Sequence, residues 1–449
     1  MPYLTKPSEN TQKLLEEMTE LLEAGLIPSR IFNDPEIHQL ELERVFTSAW
    51  IFIAHESEIP GSGDYVLRYI GNDPYIVSRG ADGKIHVLLN ACRHRGAHVC
   101  RAEKGNSASF LCPYHGWNYK NTGDLIGIPA YNDGYKKLNR AEWGLLEAPH
   151  VDSIHGFIFA SLDPDAPSLE EYLGGMKWYM DMIFGLHDGG WEVIGTPNRW
   201  IIEANWKTGA ENFAGDNYHT LTTHKSLFDI GIYPVPPQAN MSGYHIQAGN
   251  GHSLSLSIAP NMDDPGPKFW GLPKEVVEKF DKGKLSAEQY EIAMRSRNSM
   301  GNIFPNFSFI KVPITPDPKR IPPATFTRVW YWRPLGPDKI EEWTWILVPK
   351  NTSQEFKENS YRAGMTAFGP AGIFEQDDTT PWKGIVRSAG SVNFGQTGVH
   401  LNYQMGLEGM GVAKKVTDWP GPGNVYYPRY EERVALSLYR QWLHYMSSK

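Results

Sequence analysis

Two short arms, Cys92-x-His94 and Cys112-x2-His115, separated by seventeen residues, restrict this chain more than any other feature. Each arm carries one thiolate and one imidazole ligand. Four such side chains serve one metal group only if the two loops converge, so the segment around them must fold back on itself. A structural zinc site is one reading of two Cys and two His. Zinc ribbons repeat paired cysteines, and fingers place both cysteines before both histidines. A two-iron, two-sulfide cluster explains mixed arms better. One of its irons is held by two thiolates and the other by two imidazoles. Loops clamping it from opposite sides each contribute one ligand to each iron. Gly96 and Gly116 fall where the loops must turn tightly, and Pro113 stiffens the second arm. Tyr114 and Trp117 are placed to shield the group, with the tyrosine hydroxyl as a hydrogen-bond donor to a sulfur. His98 and Cys100 are not assigned as ligands, and Cys100 reads as a small buried hydrophobe.

The chain has only three cysteines, all within residues 92–112. No spaced disulfide framework is possible, which favours a reducing compartment and metal chemistry. The net charge of −8 gives nucleic-acid binding no electrostatic support. The N-terminal stretch lacks a basic start followed by an apolar run, and no window approaches a membrane span. A cytoplasmic protein with neither nucleic-acid nor membrane partner is expected.

At 449 residues the chain has room for two or three domains. Residues 9–25 and 35–48 show helical spacing and form a lead-in. From about Trp50 to residue 162, short β-rich runs such as YVLRYIG, PYIVSRG, IHVLLNAC and GFIFASL alternate with Gly, Pro, Asn and Asp. They predict a small antiparallel β domain that carries the ligand arms. DPDAPSLEEYLGG reads as a linker running into a helix, with Ser168 and Glu171 in capping-box spacing. Beyond it, helices over 273–297 and 428–446 mix with strands such as ATFTRVWYWRPL and EEWTWILVPK. The fold class expected is α+β: the small β domain plus a larger domain of helices and strands.

A second constellation lies in WKTGAENFAGDNYHTLTTH, residues 206–224. Two histidines and one carboxylate on one face of a metal are the ligand set of mononuclear non-haem iron oxygenases. His219 and His224 are the natural pair. On an ideal helix, residues five apart differ by about 140° around the axis, so both cannot face one metal. Thr220, Thr222 and Thr223 weaken a helix there. A bulge, a tightened turn or a helix end is therefore predicted around 220–224. For the carboxylate, the residues leave three candidates open: Asp216, and Asp377 and Asp378 in GIFEQDDTTPW.

The motif C-x-H-x17-C-x2-H is similar to that of Rieske iron–sulfur proteins. With CRHRG, CPYHGW, EN-F-x-GD-x-YH and FEQDD, the chain resembles the large (α) subunits of aromatic-ring-hydroxylating dioxygenases along nearly its whole length. The resemblance implies an N-terminal helical segment (1–45) packed on the catalytic domain, a Rieske [2Fe–2S] domain (46–165), and a catalytic domain (166–449) with a central antiparallel sheet flanked by helices. It implies that Cys92 and Cys112 bind one cluster iron and His94 and His115 the other. His219, His224 and Asp378 would hold Fe(II), and Asp216 would bridge to a cluster histidine of a neighbouring subunit. Asp377 is left to support or surface charge. Asn212, Phe213, Asn306, Phe368 and Phe374 match substrate-pocket positions.

The implied activity is that of a terminal oxygenase. Electrons from NAD(P)H would arrive through a reductase and ferredoxin, and O2 would convert an aromatic substrate to a cis-dihydrodiol. The implied assembly is an α3β3 hexamer with a small β subunit, or an α3 trimer. No arginine lies in the pocket segments, although Arg297, Arg320 and Arg328 could fold inward. A substrate carboxylate calls for an arginine fork, so a neutral, flat arene, polycyclic included, suits the segments. Monohydroxylation, demethylation and aromatic-acid hydroxylation use the same metals. A pure electron-transfer Rieske protein would lack the second iron.

Overall fold

A computed structural model describes residues 5–448, apart from 136, 234–241, 262 and 265. Residues 1–4 of the expected lead-in therefore lie outside the described residues. The chain divides into two compact units: residues 46–169, and residues 1–45 together with 170–449.

The smaller unit is built from antiparallel sheets. Four strands run in the order Ile85–Leu89, Asp73–Arg79, Asp64–Ile70, Lys104–Asn106. A three-stranded sheet, Ser109–Leu111, Asn118–Lys120 and Leu125–Gly127, follows the first ligand arm and encloses the second. A third sheet pairs His150–Ile154 with Phe157–Ser161 and Ile51–His55. Each strand is short because a turn residue ends it, as the alternation of apolar runs with Gly, Asn and Asp dictates. Ile76, Leu88, Phe110, Tyr119 and Leu125 form one core, and the Cys92 and Cys112 thiols are part of it.

The larger unit is organised on a nine-stranded antiparallel sheet. Its order is Trp191–Ile202, Lys339–Pro349, Ala324–Gly336, Phe307–Ile314, Ser296–Ile303, His252–Ile258, Tyr244–Gly249, Asn424–Tyr427, Lys414–Val416. The helix Trp206–Gly215 packs against the strands Ser296–Ile303 and His252–Ile258, and the helix Gln354–Phe368 lies on Ala324–Gly336. Asn205 caps the first of these helices by accepting from the Lys207 N–H at 3.1 Å.

The lead-in belongs to this unit. Asp34 caps the helix Pro35–Arg44, with proline at its first position, where no N–H is needed. Leu15, Met18 and Leu22 line one face of the helix Glu9–Glu23, which packs on the C-terminal helix Arg433–Ser447. Glu41, fully buried, ties three segments together. It accepts from Trp206 Nε1 at 2.9 Å and Trp442 Nε1 at 2.7 Å, and it pairs with the equally buried Lys207.

The helix expected over 273–297 is not continuous. It divides into Lys274–Val277, a tight turn at Lys282–Lys284, and Ala287–Arg295, after which residues 296–303 are strand. The Asp281 side chain accepts from the Gly283 N–H, and Ser286 opens a fresh capping box with Gln289. These local bonds compete with helix continuation.

Candidate active site

The two ligand arms of the smaller unit share one backbone construction. In the first, the Cys92 N–H donates to Ala97 O and the Gly96 N–H to Cys92 O, each at 2.8 Å. In the second, the Cys112 N–H donates to Trp117 O at 2.7 Å and the Gly116 N–H to Cys112 O at 3.0 Å. Gly96 (φ +74°) and Gly116 (φ +72°) adopt the left-handed conformation that closes each loop. The thiols are 3% and 2% exposed. The rings of His94 and His115 approach to 4.5 Å between centroids, and His94 Nδ1 is buried with no hydrogen-bond partner among the described residues. Two shielded thiols in one core and two adjoining imidazoles, one with an unsatisfied buried nitrogen, match the donor set of a [2Fe–2S] group bound by two cysteines and two histidines.

Trp117 stacks on His94 at 5.2 Å, nearly coplanar, and so shields that side. The tyrosine at the sulfur is Tyr119, not Tyr114. Tyr119 Oη lies 3.2 Å from Cys92 Sγ and accepts from the Arg93 N–H at 3.1 Å, which directs the phenol proton to the sulfur. Tyr119 is buried because it is the inward residue of the strand Asn118–Lys120, whereas Tyr114 sits at the loop tip and is 60% exposed. Strand alternation from Trp117 was the signal for it. Burial raises the Cys92 thiol above its ordinary value. Cys100 is buried and points to Ala102 O.

In the larger unit, the helix Trp206–Gly215 stops before the histidines. A single turn, Thr220–Thr223, follows and ends at His224. This break turns both rings inward. His219 Nε2 and His224 Nε2 lie 3.2 Å apart, and they are 3.3 and 3.0 Å from Asp378 Oδ1. Asp378 comes from the helix Ile373–Ala389, four residues after Phe374 and on the same face. Its Oδ1, though buried and close to two nitrogens, has no hydrogen bond of proper geometry. Three Lewis bases thus converge on one point, a geometry suited to a cation between them. Burial works to raise Asp378, but the charges of His224 and His219 beside it hold it down at about 2.

Each imidazole is backed by a carboxylate at its outer nitrogen. His219 Nδ1 lies 3.2 Å from Asp216 Oδ2, and His224 Nδ1 lies 3.2 Å from Asp377 Oδ2. The Asp377 contact is of the kind that fixes the tautomer and ring orientation of a metal-binding histidine, whereas Asp216 stands beside His219 Nδ1 as a counter-charge. Asp377 therefore supports the site. The Asp216 side chain keeps 36% of its surface open, so a further group can reach it.

A cavity opens on these three side chains. Asn212, Phe213, Phe368 and Phe374 line it. Phe368 and Phe374 stack with centroids 5.2 Å apart, and Phe374 sets its ring 4.7 Å from His224. Asn306 does not line the cavity. It is fully buried in the turn joining Ser296–Ile303 to Phe307–Ile314. The cavity draws on the same hairpin further along, at Met300 and Ile310, roughly 10 Å from the turn at the rise of a strand. Sequence reading also missed Ile310, Val312 and Ile314, which alternate along one strand face and were accessible to that pattern.

None of the three arginines considered earlier lines the cavity. Arg328 is buried against Gly364 O and Thr344, Arg297 pairs with Asp264, and Arg320 lies by Asp317. Among the described residues, no Lys or Arg lines it.

Fold and site together define a two-centre iron oxygenase. Residues 49–142 match the Rieske [2Fe–2S] domain, and residues 169–404 match the ring-hydroxylating alpha subunit catalytic domain. The chain belongs to the ring-hydroxylating alpha subunit family, whose cofactors are a Rieske [2Fe–2S] cluster and a mononuclear iron. It is 38% identical to an N,N-dimethyl phenylurea N-demethylase subunit alpha of Sphingobium sp. (strain YBL2), across 97% of this chain and 94% of that one. It is 36% identical to a biphenyl dioxygenase subunit alpha of Paraburkholderia xenovorans (strain LB400), across 95% and 92%. A solved structure of naphthalene 1,2-dioxygenase from Rhodococcus sp. bound to indole superposes with a TM-score of 0.92 at 43% identity, covering 98% of both chains. No helix among the described residues is long and apolar enough to cross a membrane.

Proposed function

We propose that this chain is the α subunit of a dioxygenase that converts neutral aromatic hydrocarbons, polycyclic ones included, to cis-dihydrodiols. The observation that carries the reading is the cavity. It opens directly on the His219, His224 and Asp378 ligand atoms, its walls are largely aromatic and aliphatic, and no cationic side chain among the described residues lines it. A flat hydrocarbon needs nothing more to bind, whereas an aromatic acid would need a cation. Phe213, Phe368 and Phe374 orient the ring and exclude water. His219, His224 and Asp378 would hold Fe(II) on one face. When bound, that iron supplies the open coordination positions at which O2 is activated.

Cys92 and Cys112, with His94 and His115, would hold the cluster as the electron inlet, fed from NAD(P)H through a reductase and ferredoxin. Asp216 stands beside His219 on its outer side, and its open surface suits a bridge to a cluster histidine of a neighbouring subunit. That role requires a second α subunit; the assembly proposed is a trimer of α subunits, either with a small β subunit as α3β3 or as α3 alone, in the cytoplasm.

A second reading, oxidative N-demethylation, is favoured by the relative named for that activity. The two are separated by incubating the reconstituted system with 18O2 and arenes. Dihydroxylation gives a diol carrying two labelled atoms. A product with one labelled atom, or release of formaldehyde from an N-methyl substrate with no diol from any arene, overturns it.

A further inference from the structure

One wall of the cavity is polar. Asn217, only 4% exposed, reaches it from the break between the helix Trp206–Gly215 and His219. Its Nδ2 meets Met300 Sδ, another lining atom, at 3.8 Å. The opposite end of the amide is held by a chain of donors. Arg429 is fully buried and can only donate, and its Nη1 lies 3.0 Å from Ser255 Oγ. Ser255 Oγ lies 2.6 Å from Asn217 Oδ1, a normal length for O–H···O and short for N–H···O. Ser255 thus accepts from Arg429 and passes its own proton to Asn217. His245 Nε2 lies 2.9 Å from the same oxygen, and its Nδ1 lies 2.6 Å from Glu431 Oε1. Glu431 is fixed in turn by the Arg433 N–H at 2.6 Å. With Oδ1 held by the Ser255 hydroxyl, the amide NH2 is the end that faces the cavity. A thioether is its only hydrogen-bond partner there among the described residues, and a thioether is a weak acceptor.

We infer that Asn217 is a specificity-determining hydrogen-bond donor, selecting neutral arenes that carry an acceptor oxygen such as that of a ketone, amide or urea. The inference rests on the arene-oxygenase reading of the cavity and refines its substrate class. A purely hydrocarbon wall would leave nothing for such an oxygen to bond. An arginine in its place would select anions. An amide locked from behind discriminates between these without charge.

The test uses the holoenzyme and a matched pair differing only in the carbonyl, 1-indanone and indane. Binding of each is measured by calorimetry in the wild type, Asn217→Leu and Ser255→Ala, with cluster absorption and melting temperature reporting folding. The indanone-to-indane affinity ratio is expected to fall about tenfold in Asn217→Leu, the worth of one neutral hydrogen bond. It is expected to fall by a smaller factor in Ser255→Ala, which keeps the amide but frees it. Should Asn217→Leu not fold, Ser255→Ala decides alone. A ratio unchanged in the folded variants, or failure of both compounds to bind the wild type, overturns the assignment. Product analysis on the same pair keeps the two readings apart. Binding with a shifted ratio and no oxygenated product sinks the arene-oxygenase reading only, whereas oxygenated products with an unshifted ratio sink the role of Asn217 only.

Discussion

At the scale of single residues, both iron sites depend on side chains one bond removed from the ligands. Tyr119 gives its proton to Cys92 Sγ, and a hydrogen bond to a ligand sulfur stabilises the reduced, more negative cluster. Tyr119→Phe should lower the reduction potential by on the order of tens of millivolts, with the cluster still assembled. Protein-film voltammetry reads the change, and an unaltered potential removes the tyrosine from the account. Asp377 steadies His224 from its outer nitrogen. Asp377→Asn should weaken Fe(II) binding roughly 10- to 100-fold while leaving the cluster untouched. Iron titration of the apo-site, followed by a colorimetric count of bound metal, checks it. The pairing of each Cys–His arm and of His219 with His224 was legible in spacing and residue type, whereas Asp378 was not: the residues left Asp216, Asp377 and Asp378 open, and only the resemblance chose Asp378. Tyr119 was legible only through strand alternation from Trp117, since its role depends on which face of a three-residue strand it occupies. Asn306 was misplaced for a related reason: motif position does not say how far along a hairpin a side chain sits from the cavity.

At the scale of elements, the helix Trp206–Gly215 is a structural pivot. One end is anchored by Glu41 from the lead-in, and the other breaks to present Asn217 and His219. Lys207 is wholly buried against Glu41, and burial drives its amine below the ordinary value while Glu41 opposes that. Glu41→Gln leaves the lysine without a counter-charge and should cost about 3–5 kcal/mol. The melting transition of the larger unit is expected to move down, with the iron ligands themselves unchanged. A transition at the wild-type temperature would show that the pair contributes nothing net. A break around 220–224 was predictable, because two inward histidines five apart cannot share a regular helix; the longer helix stops earlier still, at Gly215, and a single turn ends at His224. The anchoring was not: Glu41 lies 166 residues from Lys207, and neither shows a local pattern linking them. The expected long helix at 273–297 failed on capping chemistry, since periodicity alone does not report where Ser286 and Asp281 restart the backbone.

At the scale of the whole molecule, the proposed electron route makes a prediction about mixtures. If Asp216 connects one chain's iron to the cluster of another, then a chain lacking the cluster (Cys112→Ser) and a chain lacking the iron ligand (Asp378→Ala) should complement each other. Neither alone should turn over, and co-assembled oligomers should recover on the order of a quarter of wild-type activity from random mixing. Activity that stays at zero in verified mixed oligomers would mean that electrons remain within one chain.

The twin loops around Cys92 and Cys112 bear on how this domain can vary. Each arm is closed by its own two backbone bonds within six residues, from Cys92 to Ala97 and from Cys112 to Trp117. The stretch between the arms, outside its paired strands Lys104–Asn106 and Ser109–Leu111, is therefore a tether, not a ruler. Its length can drift through insertion and loss while each clasp keeps its shape, and a family can diversify the surface around its electron inlet without re-inventing the inlet.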